Sequence, residues 1–150
     1  MNRSRLWFAL SLLVSVGCGG PKSDLTFVPI LGVIQLDGQP LADADISAVP
    51  IGATPGVGGA SRSNASGEFN MMYARGESGL PPGEYKLAVS LRKFKDGSVP
   101  PADDPTPPID SQATETLAPR YSDINQSILT LTVAATPAPT ELKLESAKQR

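Results

Sequence analysis

An antiparallel β-sandwich of seven strands, set behind an export signal, is the fold class this sequence predicts. Three observations predict it: apolar residues recur with a period of two, turn residues separate the runs, and no convincing helix-period segment follows the signal. Val28, Ile30, Gly32, Ile34 and Leu36 share one parity and stop at Asp37-Gly38, a hairpin signal. Asp43 to Pro50 alternates Ile46 and Ala48 with Asp45 and Ser47, and Ala60 to Asn64 supplies a third strand after the Gly-rich stretch Gly52 to Gly59. Asn64-Ala65-Ser66-Gly67 makes a turn into Phe69, Met71 and Tyr73, spaced by two. Tyr85, Leu87, Val89 and Leu91 form the clearest strand. Leu129, Leu131 and Val133, then Leu142 and Leu144, supply the sixth and seventh. Two apolar faces of this kind bury each other, whereas a lone sheet would leave one of them wet. From Lys93 to Pro119 the alternation lapses into Pro100-Pro101, Asp103-Asp104-Pro105 and Pro107-Pro108, which reads as a long exposed loop over 93–119.

The N-terminus has a different grammar. Arg3 and Arg5 precede an apolar run from Leu6 to Val16, broken only by Ser11 and Ser15, and small residues follow: Gly17, Cys18, Gly19 and Gly20. This is the three-part layout of an export signal. A spanning helix needs roughly 20 apolar residues, so the run is too short for an ordinary anchor and is expected to be removed as residues 1–17. Ser15-Val16-Gly17-Cys18 resembles the bacterial lipobox, although that pattern prefers Leu where this chain has Ser15. The resemblance implies that the Cys18 thiol is diacylated, with fatty acids such as palmitate, and becomes the new N-terminus. Several acyl chains on one residue make a stable attachment, because each buried methylene contributes about 0.8 kcal/mol. Membrane lipid is therefore the first expected partner. Residues 18–27 read as the lipidated cysteine and a tether, 28–145 as the sandwich, and 146–150 as a tail. Gly19 is not an aspartate, so the usual sorting logic of two-membrane bacteria favours the outer membrane, with the domain in the periplasm or at the cell surface.

Composition narrows the chemistry. The 150 residues carry 13 Lys and Arg against 15 Asp and Glu, a formal charge of -2, which gives no footprint for nucleic acid. With a single cysteine there is no internal disulfide to expect. Histidine is absent, and with it the commonest general base and metal ligand. No nucleophile with its base, no paired carboxylates and no ligand cluster stands out, so no catalytic, cofactor or metal residue is assigned and no enzyme activity is expected. Asp43, Asp45, Asp103, Asp104 and Asp110 do not match the spacing of a calcium loop and read as solvated carboxylates. Asn64-Ala65-Ser66 spells a glycosylation acceptor but reads as a turn. Tyr85 and Tyr121 read as core or corner residues, Tyr85 with its ring inside and its hydroxyl on a backbone group, as in the tyrosine corner of Greek-key sandwiches.

The run Gly32 to Leu41, the turn Asn64 to Phe69, the stretch Leu80-Pro81-Pro82-Gly83-Glu84-Tyr85-Lys86-Leu87 and Pro119-Arg120-Tyr121-Ser122 together resemble a known group. They are similar to small bacterial lipoproteins whose exported part is a carboxypeptidase regulatory-like domain. The resemblance implies a transthyretin-like Greek-key sandwich over most of residues 29–145, without the catalytic zinc domain. Transthyretin-like hydrolases use histidines that this chain lacks. Val28 to Leu36 also holds no lysine for the isopeptide crosslink of related adhesins. Two functions remain open: a tethered binding or adhesion module for an envelope protein or a glycan, and a structural envelope component with no discrete ligand.

Overall fold

The computed structural model describes residues 25–107 and 109–146. The signal segment, Cys18, the tether as far as residue 24 and the tail beyond residue 146 lie outside the described residues. Two larger sheets face each other across one core. The first is built on β1 (Leu31–Leu36), which has β11 (Thr140–Leu144) on one side, and β2 (Gln39–Pro40) and β5 (Glu68–Asn70) on the other. The second runs β10 (Thr130–Val133), β7 (Gly83–Ser90), β3 (Asp45–Ile51), β4 (Gly59–Arg62) and β6 (Met72–Tyr73). Ile34, Phe69, Leu142 and Leu144 from the first sheet meet Ile46, Tyr85, Leu87, Val89 and Leu131 from the second, all buried. This is the inward parity that the alternating residues define.

The expected strands form, with three differences. Among the described residues there are eleven strand segments rather than seven strands, because two-residue pieces such as β2 extend the sheets. The pairing is not antiparallel throughout: β1 and β11 run parallel, Gly32 opposite Thr140 through Leu36 opposite Leu144. Phe69, Met71 and Tyr73 do not share one strand. The chain leaves the first sheet after Asn70, pairs with β4 from Met72, and turns at Met71, which is fully buried with its N–H donating to Ile30 O at 3.0 Å. One parity serves both halves because the two sheets share their core.

The segment 93–119, expected as an exposed loop, is partly built into the body. β8 (Arg92–Lys93) pairs with β9 (Thr114–Glu115), and Ala113 and Leu117 are buried. Glu115 fastens this hairpin: one carboxylate oxygen accepts from the N–H groups of Leu91, Thr116 and Leu117 at 2.9–3.1 Å, and the other accepts from Ser90 Oγ at 2.5 Å. A one-turn helix, α1 (Pro119–Ser122), begins with proline, whose missing N–H costs nothing at a helix start, and lies against β7.

Tyr85 and Tyr121 both serve the fold. Tyr85 is fully buried and its hydroxyl donates to Pro81 O at 2.8 Å, four residues back. Burial raises its pKa above 10.0, with Tyr73 nearby adding to the shift. Tyr121 is buried and its hydroxyl accepts from Glu145 N–H at 3.1 Å, tying α1 to the end of β11. Ser63 ties the β1–β3 connection to β4, donating to Leu41 O at 2.7 Å and accepting from Ala44 N–H at 2.9 Å.

Candidate functional site

Two hollows meet at Arg62, the last residue of β4. The register puts Arg62 directly opposite Asp45, and Asp43 sits two residues before. The guanidinium lies 3.7 Å from Asp45 Oδ1 and 3.9 Å from Asp43 Oδ1, and it donates to Pro100 O at 2.7 Å. Arg62 therefore pins the Pro-rich segment to the edge of the second sheet. Its three contacts are spread over the planar fork, a geometry lysine does not offer.

On one side of Arg62 is an open groove of about 630 Å³ where β4 and β5 part company. Leu31, Val33, Phe69, Met72 and Pro139 form its apolar walls, and Ser61, Asn64, Glu68 and Asn70 its polar rim. Leu31 and Met72 are 59% and 40% exposed, although both are large apolar residues. Most rim groups are held in place: Ser61 Oγ donates to Asn70 O at 2.8 Å, and Asn64 Nδ2 donates to Glu68 Oε2 at 2.8 Å. Asn64 Oδ1 accepts from the N–H groups of Ser66 and Glu68, both at 2.9 Å, which closes the Asn64–Gly67 turn expected from the sequence. A smaller hollow of about 460 Å³ lies on the outer face of the second sheet, lined by Asp45, Ser47, Ser61, Arg62, Ala88, Ser90, Ala102 and Ser122. The hydroxyls of Ser47 and Ser122 donate to backbone carbonyls and that of Ser90 to the Glu115 carboxylate.

The carboxylates considered for calcium do not converge on one site among the described residues. Asp43 and Asp45 lie beside Arg62, while Asp103, Asp104 and Asp110 belong to the Pro-rich segment, where Asp104 accepts from Thr106 N–H at 2.9 Å. Among the described residues no three His, Cys, Asp or Glu gather as a metal site. Sequence reasoning singled out Asp45 but missed Arg62. The register was not legible from the loop: the hairpin centres between Ala53 and Thr54, whereas counting from the middle of the Gly-rich stretch 52–59 would set position 45 opposite position 66.

Partial burial raises the pKa of Asp45, with Asp43 and Glu115 adding to the rise and Arg62 and Arg92 opposing it. Asp37, Asp96, Asp104 and Asp123 are held below 3.8 by hydrogen bonds from nearby N–H or side-chain donors. The signs are opposite. The four depressed groups favour the fold above 3.8 and lose that contribution as pH falls through their lowered pKa values. Asp45 favours the fold in its neutral form, below 3.8, and loses that contribution as pH rises through its raised pKa. Asp45→Asn is therefore expected to gain on the wild type as pH rises from about 3 to about 6.5, which paired Tm measurements read directly. A variant that instead falls further behind with rising pH refutes this account.

No family model matches the chain, and no curated protein and no solved structure is significantly similar to it. The groove and the ion cluster therefore stand on their own chemistry.

Proposed function

We propose that the chain is an exported lipoprotein, held on a bacterial membrane by acyl groups on Cys18, whose β domain is a non-catalytic binding module. The outer membrane is the favoured location. The domain is read as a transthyretin-like Greek-key sandwich of the carboxypeptidase regulatory-like type. The order β7-β3-β4-β6 supports this reading, because β7 returns to lie beside β3 as the fourth strand of a Greek key does, although β5 of the other sheet comes between β4 and β6 in the chain. Among the described residues, seven of the eleven strand segments have three or more residues, β1, β3, β4, β5, β7, β10 and β11, which supports it as well.

The observation that carries the binding role is the groove beside Arg62, an apolar trough with convergent polar groups and the size of a ligand site. An extended segment of an envelope protein fits it better than a glycan. Leu31 and Met72 offer aliphatic surface, whereas the one aromatic ring in the lining, Phe69, is 4% exposed and has no open face for a sugar.

Two measurements test the reading. Cys18→Ser is expected to shift the protein from the detergent phase to soluble fractions or to stall its processing; unchanged partitioning and N-terminal mass refute the anchor. A photo-crosslinker at Met72 is expected to give one dominant protein adduct in intact cells that Leu31→Asp abolishes, while the same group at Ile128, exposed and outside the groove, gives none. Equal, diffuse crosslinking at both positions would favour a structural envelope component without a discrete ligand.

A further inference from the structure

The chain comes into the sandwich at one end, and the loop at that end is free of charge. Phe27 packs on Tyr73 with ring centroids 4.9 Å apart. The Tyr73 hydroxyl accepts from Val57 N–H at 3.2 Å, so the incoming segment and the β3–β4 loop are fastened to the same ring. Val49 to Ala60 contains no charged residue, and Gly52, Ala53, Pro55, Gly56 and Val57 are exposed. Positive φ angles of 94° at Gly56 and 87° at Gly58 bend the loop on either side of Val57, whose side chain is left 55% exposed. Ala74 N–H donates to Gly58 O at 3.0 Å, which brings the neighbouring turn and its exposed Arg75 beside the loop. Glu77 on that turn is half-buried, and Glu84 lies at the level of Thr54, whose hydroxyl bonds its backbone.

Distance along the chain gives this end a partner. Phe27 is nine residues from Cys18, so the two are separated by about 30 Å at most. The Arg62 cluster is at the other end: Ile51 pairs with Glu84 but Asp45 with Ser90, so β7, about 25 Å long, lies between them.

We propose that this end is a lipid-facing surface: Pro55 and Val57 enter the interfacial layer of the bilayer that holds the Cys18 acyl chains, and Arg75 lies at the level of the lipid phosphates. The inference rests on the acylation of Cys18. One exposed valine would not hold a free protein on a membrane. A short tether makes the contact intramolecular, so a weak apolar contact suffices to choose which end faces the lipid. The Arg62 cluster and the Pro-rich segment it holds then lie at the end away from the membrane.

The test uses the full-length acylated protein in phosphatidylethanolamine–phosphatidylglycerol vesicles. Acylation occupies the thiol of Cys18, so Val57→Cys or Pro55→Cys adds one free thiol for an environment-sensitive dye, and Asp103→Cys serves as the distal control. The dye at 57 and at 55 is expected to emit at shorter wavelength and to be quenched by iodide at least about threefold less than at 103, as for groups that enter the interfacial layer. Equal quenching at all three positions in protein whose mass shows acylation overturns the orientation and leaves the anchor standing. An unmodified residue 18 overturns both.

Discussion

Truncating Tyr85 to alanine is expected to cost the domain about 3–5 kcal/mol, the range for removing a large aromatic side chain from a packed core. The ring is fully buried between the sheets, and a small domain has only about 5–15 kcal/mol in total. Tyr85→Phe isolates the corner from the packing. It keeps the ring but removes the donor to Pro81 O, on a residue that is itself fully buried, and leaving such an acceptor without a partner costs about 1–3 kcal/mol. Urea unfolding should therefore give two distinct midpoints below the wild type, with the alanine variant the lower. A phenylalanine variant as stable as the wild type would show that the hydroxyl contributes nothing to the corner.

Gly32→Ala is expected to be the next most damaging change, although it adds a single methyl group. Gly32 lies opposite Phe69 on one side and Thr140 on the other. A Cβ there would sit 2.7 Å from Phe69 Cε1 and 2.6 Å from the Thr140 carbonyl oxygen, closer than side chains pack. Overpacking of this kind costs about 1–3 kcal/mol. The two obstacles differ in how they yield. Combining the change with Phe69→Leu relieves the ring but not the backbone oxygen, so the double variant should recover only part of the loss. Full recovery would mean that β11 can move aside freely, contrary to the tight parallel pairing with β1.

Much of this architecture was legible in the alternation of apolar residues. The strands read around Ile46, Tyr85–Val89, Leu131 and Leu142 all form with the expected faces inward. The direction of β11 was not legible, because a one-sided strand alternates identically whether its neighbour runs with it or against it. The turn at Met71 was hidden for a related reason, since both sheets face the same interior. β8 and β9 are two residues each, too short for a period to show, and they are held by the carboxylate of Glu115 rather than by apolar spacing. The groove was legible only in pieces. Leu31 falls on the outward parity of its strand, but the facing Met72 comes alongside only because the chain changes sheets one residue earlier.

The parallel course of β1 and β11 has a mechanical consequence for a body pulled at both ends of its chain. The chain arrives before the start of β1 and departs after the end of β11, so tension between Leu25 and Ser146 pulls the two strands along their axes in opposite directions. The load is shear, shared by all five opposed positions from Gly32 to Leu36, and no single hydrogen bond has to give way first.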